Sequence, residues 1–259
     1  MRGFTLNYIN LGEEYMREKE FYDKIGKIMG WDFSTMKYDV VDNSEFKYFE
    51  EINKNITTNT ILLDIGTGGG EKLTKCISDK CLLKIGTDFS KEMIKHANDN
   101  NKDNKIRFIE MNSEKIDFPK EFFNIITARH TPFNLREVYR VLKEDGLFFS
   151  EQIDEDDCKE LKILFGRGQG LNVECKLIDK IKLKINKEKF KQIEFYDIIQ
   201  NEYYKTEEDL LFLLNNTPII PEFGKIQGDY EKFREYVEKN NTEKGIILIR
   251  RLFGIKLIK

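Results

Sequence analysis

One short segment of this chain restricts its possible folds more than any other. Residues 61–64 read Ile-Leu-Leu-Asp and are followed by three alternate glycines, Gly66, Gly68 and Gly70. An apolar run that ends in an acid and a glycine-rich turn is typical of a buried parallel strand leading sharply into a helix. Glycine suits such a turn because it tolerates positive φ and because, without a Cβ, its backbone can approach a ligand closely.

The spacing of these glycines indicates what kind of ligand the turn would hold. A dinucleotide fingerprint reads G-x-G-x-x-G, whereas this turn reads G-x-G-x-G and has Glu71 where the third glycine would stand. A carboxylate at that position would lie close to a diphosphate, and Asp64 suits an ammonium group better than a phosphate. We therefore expect a ligand with a ribose and a cation but no phosphate, which disfavours the alternative of a nicotinamide dehydrogenase.

Strand and helix signals alternate between residues 60 and 165. Strands are predicted near residues 60–65, 82–88, 105–110, 122–128 and 146–152, with helices near 70–79, 90–101, 134–143 and 155–165. Such alternation predicts right-handed β-α-β crossovers and an α/β fold with a doubly wound, mostly parallel sheet. Ligands of such sheets bind beyond the carboxyl ends of the strands, which is where Asp64, Asp88, Asn112 and His130 fall.

The flanking segments predict additions to this sheet. Residues 12–29 and 44–53 have the apolar spacing of amphipathic helices, and Ser44 is a candidate cap, so residues 1–57 are predicted to form an N-terminal helical lid before a domain at 58–259. Further elements are predicted after residue 165: a helix at 176–190, a strand at 192–204, a helix at 207–216 capped by Thr206, a loop at 218–228, a helix at 229–239 and a closing strand at 245–258. We expect the segment from about 206 to 240 to face a substrate, with Tyr8, Tyr15 and Trp31 contributing from the lid.

Five segments, in this order along the chain, resemble the motifs of the class I S-adenosylmethionine-dependent methyltransferases. They are residues 62–70, 86–93, 110–118, 122–130 and 135–149, and the resemblance extends from about residue 61 to residue 152. Within the class, the chain is similar to a bacterial branch of small-molecule type. The resemblance implies a Rossmann-like, seven-stranded sheet whose last strand runs antiparallel beside the fifth or sixth. It also implies S-adenosylmethionine as cofactor and S-adenosylhomocysteine as product.

The resemblance assigns roles to the residues of the first two motifs. The amides of the turn at 66–70 would hold the methionine portion of the cofactor, and Asp64 would orient its ammonium group. Asp88 would accept hydrogen bonds from both ribose hydroxyls. Its alternative role is to cap the following helix, for which Ser90 is the other candidate.

Residues near the adenine are assigned in the same way. Phe89 and Met93 would pack on the ring, or else belong to the ordinary core. Asn112 stands where the family often has aspartate and would accept from the adenine amino group through its amide oxygen. The full set of predicted cofactor-binding residues is Asp64, Gly66, Thr67, Gly68, Gly70, Asp88, Phe89, Met93, Asn112, Ser113 and Arg129.

His130 is the predicted catalytic residue because it ends the fourth strand, where the family presents side chains toward the transferred methyl group. A neutral histidine can remove a proton from a substrate hydroxyl, amine or acidic carbon. The alternative is a histidine that hydrogen-bonds to the backbone or to the cofactor's carboxylate. The predicted function is methyl transfer to an oxygen or nitrogen atom of a small molecule. An RNA or protein methyltransferase and a non-catalytic S-adenosylmethionine-binding protein are the alternatives.

Composition and charge restrict the partners. The 43 basic and 46 acidic residues give a net charge of −3, which provides no general attraction to nucleic acid. Lysines are frequent between residues 176 and 191, but the interspersed acids are typical of a solvated helix face rather than an RNA-binding one. With two histidines and four scattered cysteines, no metal site is expected. No apolar run is long enough to span a membrane and no signal-peptide core is present, so we expect a cytoplasmic protein.

Overall fold

The fold is known from a computed structural model, which describes residues 36–185 and 189–259. The predicted helix at residues 12–29 and the predicted substrate contacts Tyr8, Tyr15 and Trp31 lie outside the described residues. The boundary between lid and domain at residue 57 therefore stays a prediction.

The described strands are β1 (Tyr38–Asp42), β2 (Ile61–Ile65), β3 (Leu83–Asp88), β4 (Ile106–Glu110), β5 (Phe123–Arg129), β6 (Leu142–Ile153), β7 (Gln192–Tyr204), β8 (Asn241–Thr242) and β9 (Gly245–Ile258). The described helices are α1 (Tyr48–Lys54), α2 (Glu71–Cys76), α3 (Lys91–Asn100), α4 (Leu135–Val141), α5 (Lys159–Phe165), α6 (Leu177–Ile185), α7 (Glu207–Asn216) and α8 (Asp229–Asn240). Each element predicted within the described residues has a counterpart among them. None of these helices is long and apolar enough to cross a membrane.

Two helix starts test the predicted caps. The side chain of Thr206 accepts a hydrogen bond from the Asp209 N–H at 3.2 Å, which confirms it as the cap of α7. Ser44 does not cap α1, because that helix begins three residues later than expected, after Lys47. The Ser44 hydroxyl instead contacts Asp42 at the end of β1.

The sheet has the strand order β1-β7-β9-β6-β5-β2-β3-β4, with β8 paired to β9. Strands β2 to β6 are parallel, and β9 runs antiparallel between β6 and β7. This confirms the predicted class of a mostly parallel, Rossmann-like sheet with an antiparallel last strand. That last strand lies beside both the fifth and the sixth predicted strands, β6 and β7.

The strand count differs from the predicted seven, since nine strands are described. The seven predicted strands form a continuous sheet, and β1 and β8 are additions to it. Strand β1 extends the sheet at β7, with Tyr38 opposite Tyr204 and Asp42 opposite Gln200. Its sequence Tyr-Asp-Val-Val-Asp lies at a largely exposed edge, so burial imposes no alternating apolar pattern on it.

The two faces of the sheet bury different helices. One face packs against α4 and α6 through side chains such as Ile126, Phe148 and Ile255. The other face, called here the α1 face, packs against α1, α2 and α3 through Leu62 and Ile125, among others. Side chains alternate along a strand. For that reason Asp64, Thr127 and Arg129 also belong to the α1 face.

Strands β7 and β9 continue past the end of β6. The last residue of β6, Ile153, pairs with Leu252, and residues 246–251 of β9 pair onward with β7 alone among the long strands. Helices α5, α7 and α8 pack on this overhang in a second cluster, the accessory core, whose members include Phe165, Tyr204, Leu213, Phe233 and Leu248. The loop at 218–228 adds Ile219, Ile220 and Phe223 to it. The segment expected to face a substrate thus directs these apolar side chains into a core of its own.

Candidate active site

The glycine turn between β2 and α2 has a backbone that only glycine tolerates without strain. Gly66, Gly68 and Gly70 have φ angles of 69°, 58° and 81°. A Cβ on Gly66 would lie 2.3 Å from Oγ1 of Thr131, and one on Gly70 would lie 2.4 Å from the ring of Phe108. Conformation and space therefore both require glycine here.

Asp88, at the carboxyl end of β3, holds this turn in place. Its Oδ2 accepts a hydrogen bond from the Gly68 N–H at 3.0 Å, and its Oδ1 accepts one from the Ser90 N–H at 2.9 Å. Ser90 is the residue that caps α3, since its hydroxyl accepts from the Met93 N–H at 3.3 Å. Each carboxylate oxygen has a second lone pair. The Asp88 carboxylate could therefore accept hydrogen bonds from a ribose and still keep those from the Gly68 and Ser90 N–H groups.

Asp64 is a half-buried residue whose carboxylate has no cationic partner among the described residues. The Thr127 hydroxyl, on the neighbouring strand, donates to its Oδ1 at 2.7 Å. Burial raises the pKa of Asp64 to about 6, against a smaller opposing effect of its hydrogen bonds and Arg129. An ammonium group placed beside this carboxylate would supply the missing positive charge.

The residues assigned to adenine lie around the ends of β3 and β4. Phe89 is half-buried, whereas Met93 is buried within α3. Asn112 is exposed, and its side-chain oxygen accepts from the Glu114 N–H at 2.9 Å, in a turn that also contains the half-buried Ser113. The main-chain oxygen of Asp88 joins this turn to β3 by accepting from the Met111 N–H at 2.9 Å.

Arg129 and His130 meet a residue that sequence analysis missed, Glu151 of β6. Arg129 lies opposite Glu151 in the sheet, and its Nε donates to Oε1 of Glu151 at 2.7 Å. Burial alone would raise the pKa of the Glu151 carboxyl, but Arg129 and His130 outweigh it and lower that pKa to about 2. An acid at position 151, within the apolar strand Leu-Phe-Phe-Ser-Glu-Gln-Ile, is the signal that could have revealed it.

His130 has an unusual backbone and a neutral ring. Its φ of 53° is in the left-handed region, and its N–H donates to the main-chain oxygen of Glu151 at 2.8 Å. Burial, together with the positive charge of Arg129, lowers the pKa of His130 to about 4. Nε2 lies 3.4 Å from Oε1 of Glu151 and has no hydrogen bond within the described residues. A half-buried side chain on a strained backbone, with a ring nitrogen that lacks a hydrogen bond, is typical of a functional site.

Tyr48, in the first turn of α1, is a second residue that sequence analysis did not assign. It is 5% exposed, its ring packs edge-on against Phe49, and its hydroxyl has no hydrogen bond in the described part of the chain. Burial raises the pKa of this phenol well above its usual value, and the nearby charges of Asp64 and Glu151 raise it further. The hydroxyl is thus a proton donor within the electrostatic reach of both carboxylates.

These groups fit the parts of S-adenosylmethionine. An unpaired carboxylate suits its ammonium group, a glycine turn without Cβ atoms allows close approach, and Asp88 offers lone pairs to a diol. Two buried hydroxyls near the turn, those of Tyr48 and Thr67, lack hydrogen-bond partners among the described residues. Such groups are normally satisfied. A polar ligand at this place would satisfy them.

A methyltransferase domain family matches residues 63–150, which run from β2 into β6 and include the glycine turn and Asp88. The chain thus contains a methyltransferase domain, and its fold is that of the class I S-adenosylmethionine-dependent methyltransferases, whose cofactor is S-adenosylmethionine.

Two curated proteins are similar in sequence to this chain. An uncharacterized protein of Methanocaldococcus jannaschii is 28% identical over 227 residues, which are 80% of this chain and 83% of the relative. YcgJ of Bacillus subtilis, described as an uncharacterized methyltransferase, is 35% identical over 97 residues, which are 34% of this chain and 38% of YcgJ.

Solved structures share the fold at lower identity. The YcgJ crystal structure has a TM-score of 0.54 and 19% identity, over 82% of this chain and 95% of YcgJ. A functionally unknown protein of Deinococcus radiodurans has a TM-score of 0.51 and 15% identity, over 95% of this chain and 98% of that one. The match to the Deinococcus radiodurans protein extends over the strands and helices that follow β6.

Proposed function

We propose that this enzyme transfers the methyl group of S-adenosylmethionine to an oxygen or nitrogen atom of a small molecule, with His130 as the proton acceptor. The observation that carries the proposal is a neutral imidazole beside a carboxylate, at the carboxyl end of the strand that follows the cofactor motifs. S-adenosylmethionine supplies an electrophilic methyl group. The protein's part is to align the nucleophile, to exclude water and to receive the nucleophile's proton.

The geometry of His130 supports this role. Because Nε2 faces Glu151, Nδ1 is the ring nitrogen that we assign to the substrate. A proton on the nucleophile becomes strongly acidic as the new bond to carbon forms, so a weakly basic imidazole suffices to accept it. The negative charge of Glu151 then stabilises the protonated ring.

The assignments at the cofactor belong to the same proposal. Asp64 would bind the ammonium group, the turn at 66–70 the methionine portion, and Asp88 the ribose, while Phe89, Met93, Asn112 and Ser113 would surround the adenine. Arg129 uses Nε for Glu151 and is a third exposed. Its terminal guanidinium nitrogens would therefore serve the cofactor's carboxylate.

A small acceptor is favoured by an aromatic side chain within the electrostatic reach of Arg129, the residue before His130. Tyr38, 37% exposed, stacks on Tyr204 at 5.2 Å and lies within the electrostatic reach of Arg129 and Arg250. An aromatic wall beside these charges suits a compact ligand with an apolar body and a polar end. The lid and the segment 206–240 would close around it, in a cytoplasmic enzyme of bacterial type.

The placement of the Lys-rich helix disfavours RNA as the acceptor. Helix α6 buries Ile181 and Ile185 against the face of the sheet that holds Ile126 and Phe148. His130 follows Arg129, whose side chain lies on the opposite face. An RNA bound along α6 would thus have to reach around the sheet to the methyl group.

The test is incubation of the enzyme with S-adenosylmethionine carrying a labelled methyl group and a metabolite extract. We expect label in a small molecule that mass spectrometry can identify, and much less with the variant His130→Asn. Label confined to RNA or protein would overturn the small-molecule assignment. Binding of S-adenosylhomocysteine without transfer to any fraction would indicate a non-catalytic protein.

A further inference from the structure

We infer that the Tyr48 hydroxyl binds the cofactor by donating a hydrogen bond to the carboxylate of its methionine portion. The Tyr48 phenol is 5% exposed, and its oxygen forms no hydrogen bond that meets normal geometry within residues 36–185 and 189–259. Tyr48 lies outside the matched family segment, which begins at residue 63. The inference rests on the cofactor's identity.

The position of the hydroxyl is well determined by packing. Helix α1 buries Tyr48 and Ile52 in the same cluster as Leu62, Ile125 and Phe149 of the sheet. The Tyr48 ring also meets Phe49 at 5.1 Å and 76° between planes. A ring held on these sides cannot turn its hydroxyl out to water, so the oxygen stays directed at the α1 face.

The hydroxyl lies above the cofactor end of the site. The Thr127 hydroxyl, which donates to Asp64, lies nearby, and the charges that act most strongly on the phenol are those of Asp64 on β2, Glu151 on β6 and Arg129 on β5. These three residues are on adjacent strands of the same sheet face. The cofactor's amino acid portion would lie there, next to the glycine turn.

We assign the Tyr48 hydroxyl to the carboxylate of the cofactor, not to its ammonium group, because the hydroxyl is a hydrogen-bond donor. A protonated phenol is a good donor, and its pKa is raised rather than lowered here. Asp64 already provides the acceptor for an ammonium group, whereas a carboxylate requires donors. Arg129 and Tyr48 are donors on the same side of the site, and a hydrogen bond to a charged acceptor is among the stronger ones.

Packing alone does not require the hydroxyl. Phenylalanine would fill the same space without a buried polar atom. Proteins generally avoid buried polar atoms that lack a hydrogen bond. A tyrosine at this position is explained by a ligand that accepts its proton. The same reasoning makes Tyr48→Phe a substitution that removes one atom and keeps the packing.

The experiment is calorimetric titration of wild-type protein and Tyr48→Phe with two ligands: S-adenosylhomocysteine and its decarboxylated analogue. For S-adenosylhomocysteine we expect the variant to bind about tenfold more weakly or worse, as for the loss of a hydrogen bond to a charged group. For the decarboxylated analogue we expect equal affinities of wild type and variant.

Tyr196→Phe is the matched control. Tyr196 of β7 stacks on Phe46, which precedes α1, and its hydroxyl contacts Glu194 of the same strand. This control should bind both ligands as the wild type does.

Two results would overturn the inference while leaving the cofactor in place: unchanged affinity of Tyr48→Phe for S-adenosylhomocysteine, or an equal loss for both ligands. A wild-type protein that binds neither ligand would overturn the cofactor assignment itself. That outcome is distinct because it appears before any variant is compared.

Discussion

The carboxylate of Glu151 lies 3.4 Å from Nε2 of His130, while the main-chain oxygen of the same residue accepts the His130 N–H at 2.8 Å. One residue of β6 thus positions both the backbone and the ring of the proposed proton acceptor. The backbone bond continues the β5–β6 ladder one residue beyond Arg129. It holds His130 in its left-handed conformation at the edge of the site.

Replacing Glu151 by glutamine should lower turnover about a hundredfold, because the amide keeps the shape but cannot stabilise a protonated imidazole. S-adenosylhomocysteine affinity should change by less than about threefold, since Glu151 is not assigned to the cofactor. Steady-state rates and titration calorimetry measure the two quantities. The control is Glu160→Gln, which also breaks an ion pair with an arginine, Arg251, but on the surface of α5. Full activity of Glu151→Gln would contradict the role given to its charge.

Replacing His130 tests the base and the backbone separately. Both His130→Ala and His130→Asn remove the proton acceptor, so turnover should fall about a hundredfold in each while cofactor affinity is kept. Asparagine tolerates positive φ better than alanine. His130→Asn should therefore be the more stable of the two, by roughly 0.5 to 1 kcal/mol in the free energy of unfolding.

Turnover assays and denaturant unfolding provide the measurements for these two variants. If turnover and cofactor affinity fall together in both, His130 binds the cofactor instead, as in the alternative considered from sequence.

Asp64→Asn should stabilise the cofactor-free protein while weakening its binding of S-adenosylhomocysteine. The folded carboxyl, with its pKa raised to about 6, holds a proton that the unfolded chain has already lost. The native state therefore binds more protons between about pH 4 and pH 6, and the stability falls as the pH rises through that window. At neutral pH the ionised, buried group costs on the order of 2 to 3 kcal/mol, which asparagine removes.

Denaturant unfolding on either side of this window tests the prediction for Asp64. The wild type should lose stability between about pH 4 and pH 6, and Asp64→Asn should lose less, since its amide does not ionise. An amide can still accept the Thr127 hydrogen bond. A variant that is less stable than the wild type at neutral pH would show that the carboxylate is well compensated in the free protein.

Gly66→Ala should abolish cofactor binding and destabilise the protein more than Gly166→Ala does. Both glycines have nearly the same φ, 69° and 68°, so both substitutions carry the cost of left-handed alanine, about 1 kcal/mol. Only at Gly66 would the new Cβ collide with Thr131, at 2.3 Å, because nothing lies within 4 Å of a Cβ at Gly166. Equal destabilisation of the two variants, measured by thermal unfolding, would show that the turn accommodates the extra atom.

Local chemistry was sufficient to predict the glycine turn and the ends of the strands around it. The apolar run before Asp64, the alternate glycines and the acid at Asp88 all act within a few residues of chain, through strand burial, positive φ and the end of a strand. A parallel sheet also brings the ends of its strands to one edge, so the positions of Asp64, Asp88 and His130 followed from counting elements.

Contacts between distant segments were decided by tertiary structure alone. Glu151 reaches Arg129 and His130 only because of the register between β5 and β6, which no local pattern encodes. Tyr48 enters the site because of the rotation of α1 about its axis, and that is set by how its apolar side chains fit the sheet. Strand β1 pairs with β7 because β9 occupies only one edge of β7 and leaves the other edge free. Register, helix rotation and free edges depend on atoms far apart in the chain, and for that physical reason they became visible only in the folded structure.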